Sequence, residues 1–425
     1  MTFRFLHLAD LHLETHFGGR PEAKERLRGA TLEAFRRAVD RALEKRVHAV
    51  LVAGDLFDDP LLSLRTELEI VRAVQRLAEG GTHFLYACGN HDPGAPTRRA
   101  AQLGLLAQDG AAWRRRVHVF SRTVPEPVVV RDAEEREVGV VVGAGHLSAQ
   151  EERNLCAGFH RLETHLPVVG LLHTQVESAR GAGEHKRYAP STRADFERLA
   201  YAYFALGHVH LRQQAFDGLP AWYPGNLQGR NAKETGPKGG LFVEAAPGGV
   251  GEPRFEAFAP VRWERLEVDG LAGVRSASEL ASHLAQRIEA LRAPLDEELV
   301  AVVELCGPTP LAPLLRDPAR LAELETALLD ETGIVDVELR ARRVSSLRDL
   351  DRLRANPSFL SRALALLERA HADPELLERL APEHLPGFEA ELDVEADLEA
   401  RRAYLCELLE GLEEDLIDAC LEEDA

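Results

Sequence analysis

Between Phe3 and His210 the chain repeats one arrangement five times: an apolar run of strand length stops at a short cluster of aspartate, asparagine and histidine. Phe3–Leu8 leads into Asp10-Leu11-His12, and His48–Ala53 into Gly54-Asp55-Leu56-Phe57-Asp58. His83–Ala87 leads into Gly89-Asn90-His91-Asp92, Val168–Leu172 into His173, and Tyr203–Leu206 into Gly207-His208-Val209-His210. Helical periodicity fills Ala23–Lys45 and Ser63–Glu79, between the first three runs. A strand–helix–strand–helix rhythm implies an α/β layered domain. In such folds the loops after the carboxyl ends of the strands converge. The five clusters are therefore expected around one pocket. The later strand signals (Val117–Phe120, Val128–Arg131, Val138–Val142 and hairpin-like segments to Phe258) suggest a second, more antiparallel half packed face to face on the first.

Asp10, His12, Asp55, Asn90, His173, His208 and His210 offer oxygen and imidazole donors and no thiolate, a set suited to Mn²⁺, Fe²⁺, Mg²⁺ or Zn²⁺. Seven donors exceed one tetrahedral ion and fit two divalent metals with one carboxylate between them. Such a pair clamps the attacking and leaving oxygens of a phosphoryl displacement. The glycines before Asp55, Asn90 and His208 are expected to permit sharp turns. Each cluster alone has a plainer reading: Asp10 as a turn cap, His173 as a satisfied core histidine. Five in this order weigh against that reading for the set.

At Pro260 the pattern resets. Trp263–Val268, Ala277–Leu291, Val300–Cys306, Leu311–Leu329 and Val335–Arg340 read as a compact βαββ-like unit. Beyond Val344 only helices are expected, with Asn356-Pro357 as a helix start and Glu395–Leu421 as the longest helix. The expected domains are thus 1–258, 259–344 (small α+β cap) and 345–425 (helical acidic tail). The fold class is α/β: two packed mixed β-sheets flanked by helices, plus the cap and tail.

Charge is uneven. From Ser345 to Ala425 there are 8 arginines against 22 acidic residues, a net of −14 out of −19 for the chain. The body is nearly neutral, so nucleic acid is not excluded as a partner. Local basic clusters are Arg98-Arg99, Arg114-Arg115-Arg116 beside Trp113, Lys186-Arg187, and Arg230 with Lys233. The five scattered cysteines read as buried reduced thiols, not a disulfide framework. No apolar stretch has the ~18 residues of a membrane span. MTFRFLHLAD lacks signal-peptide features, so a cytoplasmic protein with no membrane partner is expected.

The ordered set Asp10/His12, Asp55, Asn90-His91, His173, His208/His210 resembles the calcineurin-like metallophosphoesterase superfamily. The run HLADLHL resembles its SbcD/Mre-type DNA repair exonucleases. His185-Lys186-Arg187-Tyr188, Tyr203 to His210, Tyr223-Pro224-Gly225-Asn226-Leu227-Gln228-Gly229-Arg230 and Glu234 to Lys238 are similar to the YhaO branch. The resemblance implies a metallophosphoesterase sandwich. It implies one metal on Asp10, His12, Asp55 and His210, and the other on Asp55, Asn90, His173 and His208, with Mn²⁺ the expected ion. It makes His91 the catalytic group at the leaving oxygen, with Asp92 orienting its ring. It places substrate contacts among Asp58, His185, Tyr188, Tyr223, Asn226 and Arg230. Asp58 stands where some relatives carry a second catalytic histidine, and Glu14-Thr15-His16-Phe17 departs from the YhaO-branch run, leaving His16 as a surface residue.

The implied function is DNA hydrolysis in repair, alongside an SbcC-like (YhaN-type) coiled-coil ATPase, and a homodimer is compatible with it. The alternatives are a non-catalytic DNA-end clamp for that ATPase, or hydrolysis of a non-DNA phosphoester. Leu398, Leu405, Leu409, Leu412, Leu416 and Ala419 form an apolar stripe. That stripe either docks the ATPase or folds back on its own domain.

Overall fold

The computed structural model describes residues 2–58, 62–94, 110–176, 179, 188–347, 358–381 and most of 401–420. Contacts divide the chain into two units, Met1–Trp263 with Glu297–Leu299, and Glu264–Asp296 with Val300–Ala425.

The first unit holds β1 (Phe3–Leu8), β2 (Ala49–Ala53), β3 (His83–Ala87), β4 (Val117–Phe120), β5 (Glu126–Arg131), β6 (Glu137–Ala144), β7 (Val168–His173) and β8 (Tyr203–Gly207). They are followed by β9 (Gln213–Gln214), β10 (Ala221–Tyr223), β11 (Gly239–Ala246), β12 (Gly249–Val250) and β13 (Arg254–Ala257). One sheet runs β12-β11-β1-β2-β3-β4, with β13 also on β11; the other runs β5-β6-β7-β8-β10-β9. Strands β1 to β4 are mutually parallel, and β11 is antiparallel to β1. In the second sheet β6, β7, β8 and β10 are parallel, and β5 and β9 are antiparallel edges. The second half is therefore less antiparallel than its sequence suggests. Its crossovers hide this: among the described residues they contain only a 3₁₀ turn at Leu155–Gly158 and one turn of helix at Arg193–Glu197.

The sheets pack face to face through Phe3, Phe5, Leu51, Leu85 and Val243 on one side and Val141, Val169, Leu171 and Tyr203 on the other. Each such fully buried aliphatic or aromatic side chain contributes roughly 1.5–3 kcal/mol relative to exposure. Helices α1 (Pro21–Glu44) and α2 (Leu64–Glu79) cover the outer face of the first sheet. Their buried stripes of Ala34, Phe35, Ala38, Ile70, Val74 and Leu77 meet Leu6, Val50, Val52, Phe84 and Tyr86. Pro21 starts α1 and the Ser63 hydroxyl, accepting from Thr66 N–H, caps α2. The short helix α3 (Ala111–Arg116) ends in the arginine run. Arg116 is buried and donates to the carbonyls of Arg131 and Asp132, so it is not available to a phosphate backbone.

Strand β14 (Val261–Val268) leads into the second unit, whose sheet runs β14-β15-β16 with β15 at Glu298–Pro308 and β16 at Asp336–Ser345. β15 and β16 are parallel, so a crossover must join them, and the unit runs strand–helix–strand–helix–strand, the order of the five elements read from the sequence. Helix α4 (Ala277–Arg292) follows β14. The expected single helix Leu311–Leu329 is two, α5 (Ala312–Arg316) and α6 (Pro318–Thr332). Pro318 breaks the pattern, and Asp317 caps the new start by accepting from Ala319 N–H.

In the tail, α7 (Phe359–Ala372) is capped by Ser358, two residues beyond the expected Asn356. Asn356 and Pro357 lie outside the described residues, as does Leu398. A short helix, Pro374–Leu380, follows, and the described residues between Arg401 and Cys420 are helical. Leu405 and Leu409 pack with Ala370 and Leu377, while Ile417 packs with Leu360 and Leu364. Leu405 and Leu409 of the apolar stripe thus fold back on their own chain, whereas Leu412 of the stripe, and Leu408 outside it, are exposed. Cys88, Cys156 and Cys306 are buried free thiols, whereas Cys406 is exposed and Cys420 half-buried. Among the described residues no helix is long and apolar enough to cross a membrane.

Candidate metal centre

All five clusters follow parallel strands of the two packed sheets, and their side chains meet beyond the carboxyl ends of β1, β2, β3, β7 and β8. The loops reach inward through strained backbone. Asp10, His12, Asp55 and His208 all have positive φ (51°, 47°, 49° and 108°), a region that non-glycine residues rarely occupy and that concentrates at functional sites. Of the three glycines, Gly54 does adopt positive φ (87°), but Gly89 and Gly207 do not. They are needed for room. A Cβ would run into Asp55 Oδ1 at Gly89, into the Ala53 carbonyl at Gly207, and into the His173 ring at Gly54.

Hydrogen bonding fixes which imidazole nitrogens face the pocket. His12 Nδ1 lies 3.0 Å from Asp58 Oδ1, and His210 Nδ1 lies 2.7 Å from Glu234 Oε1. His173 Nδ1 lies 2.9 Å from the Ala53 carbonyl. Each partner can only accept, so each Nδ1 donates and each Nε2 is left with a lone pair. Those lone pairs point at one another and at oxygens. His12 Nε2 is 3.2 Å from His210 Nε2; His173 Nε2 is 2.9 Å from Asn90 Oδ1 and 3.3 Å from His208 Nδ1. Asp55 Oδ2 stands between the groups, 3.7 Å from His12 Nε2 and 3.4 Å from His173 Nε2.

The titration behaviour has the same origin. Burial, with the neighbouring Asp55 carboxylate, pushes Asp10 well above its ordinary range, and burial raises Asp55. Burial also pushes His12 and His173 well down, so both rings are neutral. Neutral imidazoles and crowded buried carboxylates with converging lone pairs fit divalent cations. Two of the groups able to hold an ion are Asp10/His12/His210 and Asp10/Asp55/His173.

Several expected roles change. Asp92 does not touch the His91 ring; it is buried and accepts from Gly89 N–H (2.7 Å) and Phe57 N–H (3.1 Å), which ties two site loops together. The carboxylate beside His91 Nδ1 is Asp58, at 2.9 Å. Burial opposes ionisation of Asp58, but bonds from His12 and His91 hold it far below the usual range. The Asp58 bond in turn raises His91, whose ring stays 43% exposed at the edge of the site.

Tyr223 and Asn226 are fully buried and cannot meet substrate. The Tyr223 hydroxyl donates to the Thr174 carbonyl (2.8 Å), while Asn226 Nδ2 donates to Glu234 Oε2 (2.6 Å). Arg230 and Tyr188 lie at the site, with Arg230 Nη2 3.1 Å from His210 Nδ1 and the Tyr188 ring 6.0 Å from that of His208. His185 lies outside the described residues, as do Arg98-Arg99 and Lys186-Arg187; His16 is exposed. His7, inside the HLADLHL run, is structural: it bonds the Tyr203 hydroxyl and the Leu206 carbonyl, and burial drops it to about 3.

Sequence reasoning missed Glu234 and His146. His146 Nε2 donates to the His173 carbonyl (2.9 Å), and its ring packs 5.3 Å from that of His173. It follows the apolar strand β6 just as the other clusters follow theirs, a signal present in the sequence.

Residues 3–212 match the calcineurin-like phosphoesterase family. This segment belongs to that family. The metallophosphoesterase named YhaO of Bacillus subtilis is 34% identical over 62% of this chain and 62% of its own length. The DNA double-strand break repair protein Mre11 of Aeropyrum pernix is 31% identical over 57% of this chain and 58% of its own. That of Haloferax volcanii is 27% identical over 82% and 68%. The chain thus spans less than two thirds of the first two relatives. Among solved structures, that of TT1561 of Thermus thermophilus aligns with 58% of this chain and 95% of its own, at 12% identity and a TM-score of 0.33.

Proposed function

We propose that this metallophosphoesterase hydrolyses phosphodiester bonds of DNA as a two-metal nuclease acting in repair. The reading is carried by one observation: two sets of oxygen and imidazole donors converge on Asp55, with the half-exposed His91 beside them. Asp10, His12, Asp55 and His210 would hold one ion, and Asp55, Asn90, His173 and His208 the other. Bound there, a divalent pair, Mn²⁺ by expectation, supplies Lewis-acid activation of water and neutralises phosphate charge.

The chain's own residues do the rest. Asp58 accepts a hydrogen bond from His91 Nδ1–H and favours the doubly protonated ring, whose Nε2–H can then pass its proton to the departing oxygen. Asp58 also holds the His12 ring through Nδ1 and accepts from the Thr15 hydroxyl at 2.9 Å. Support for DNA comes from the Mre11-named relatives. An SbcC-like ATPase is the proposed partner. Of the stripe, Leu412 is exposed for it, with Leu408 exposed beside the stripe. The α+β unit after Pro260 is proposed as the DNA-facing cap.

Purified protein should cleave single- or double-stranded DNA with Mn²⁺ and lose this activity with chelator. Cleavage of phosphotyrosine or cyclic nucleotide but not DNA would replace DNA with another phosphoester. Binding of DNA ends without cleavage of any phosphoester would leave only the clamp role.

A further inference from the structure

Arg230 is not one of the metal donors, yet its guanidinium is built into the centre. Its backbone N–H donates to Glu234 Oε2 at 2.7 Å, and Asn226 Nδ2 donates to the same oxygen. The other oxygen, Glu234 Oε1, faces His210 Nδ1 at 2.7 Å and Arg230 Nη2 at 3.3 Å.

The loop is anchored from below: Gln228 Nε2 donates to the Val261 carbonyl (2.7 Å) and Trp263 Nε1 to the Gly229 carbonyl (3.0 Å). On the other side Arg230 Nη1 is 3.8 Å from Asp58 Oδ1, the oxygen that orients His91. The guanidinium therefore lies between the His210 ring and the Asp58–His91 pair. Its Nε is buried without a partner among the described residues, and its contacts to the two carboxylates are long. A guanidinium has five donors in a planar fork matched to phosphate oxygens, and here most of them are weakly used.

We propose that Arg230 binds a non-bridging oxygen of the substrate phosphate and follows its growing charge in the transition state, with Glu234 as the positioning residue that holds the guanidinium and the His210 ring in register. The inference rests on the phosphoester reading but not on DNA as the substrate. A preorganised donor of this kind is worth ~10²–10³ in rate.

The test uses the full chain loaded with Mn²⁺, with bis(p-nitrophenyl) phosphate as substrate. Arg230→Gln should keep wild-type metal content and lose ~10²–10³ in kcat/KM, mostly in kcat. Equilibrium binding of inorganic phosphate should weaken by about 10- to 100-fold. Arg230→Lys, which retains the charge but not the fork, should recover part of the binding and little of kcat. Methylguanidinium should restore part of the activity of Arg230→Ala. Unchanged phosphate binding in Arg230→Gln would overturn the proposal. So would a rate loss that tracks metal loss in both Arg230→Gln and Arg230→Lys. If the wild type cleaves the model diester but not DNA, the DNA reading fails and this one stands. If it cleaves neither, the phosphate-binding comparison alone decides.

Discussion

The two halves of the centre bring ring nitrogens equally close, 3.2 Å between His12 and His210 and 3.3 Å between His173 and His208, but they are held differently. The His12–His210 half is backed by side-chain carboxylates, Asp58 and Glu234, with Arg230 alongside. In the other half His173 is backed by the main chain, through the Ala53 carbonyl, and touches the neutral Asn90 amide. A carboxylate behind an imidazole raises its basicity and can be removed by one substitution; a strand carbonyl cannot. One half is thus tunable through charge, and the other is fixed by the fold. His91 and Arg230 both stand on the tunable side.

Erasing the comparison altogether requires the residue common to both halves. Asp55→Ala should remove both ions, seen as loss of two equivalents in metal analysis, and reduce hydrolysis to the chelator-treated level. Two retained equivalents would mean the halves do not share this carboxylate. His91→Ala should leave metal content unchanged and slow the chemical step by ~10²–10⁴. Metal loss in that variant would make His91 part of the donor set.

Glu234→Gln tests the asymmetry directly. Calorimetric Mn²⁺ titration should resolve one site weakened ~10–100-fold and one unchanged. Equal weakening of both would remove the distinction. The smallest effect is expected from Asp58→Asn on the pH profile. The Asp58 carboxylate raises the His91 pKa, and a His91 acid must be protonated, so the rate falls as pH rises through that pKa. Without the charge, the alkaline limb of kcat should move to lower pH. An unmoved limb would assign the limb to another group.

The strand ends were readable because an apolar run and the polar residue after it are adjacent in sequence. What supports those residues was not. Glu234 lies 24 positions from His210 and Asp58 lies 46 from His12, pairings that only the folded loops create. Asp92 is next to His91 in sequence yet faces away, because its carboxylate is taken by the Gly89 and Phe57 amides. Tyr223 and Asn226 were expected as substrate contacts, but the Tyr223 hydroxyl and the Asn226 amide N–H are used inside the protein. The parallel strands of the second sheet were obscured by crossovers with little helix. The Asp317-Pro318 break was visible as a cap-and-proline signal and was overrun by the apolar periodicity on either side.

The absence of a single methyl-sized group is as diagnostic of this centre as its histidines. A chain could keep every aspartate, asparagine and histidine of the set and still be unable to assemble it. With alanine at Gly54, Gly89 or Gly207, the new carbon would occupy the space of the His173 ring, Asp55 Oδ1 or the Ala53 carbonyl. When distant sequences are screened for a working copy of this pocket, these three positions are a stricter filter than the donors. Histidines recur by chance on surfaces, whereas a side chain's exclusion by three separate walls does not.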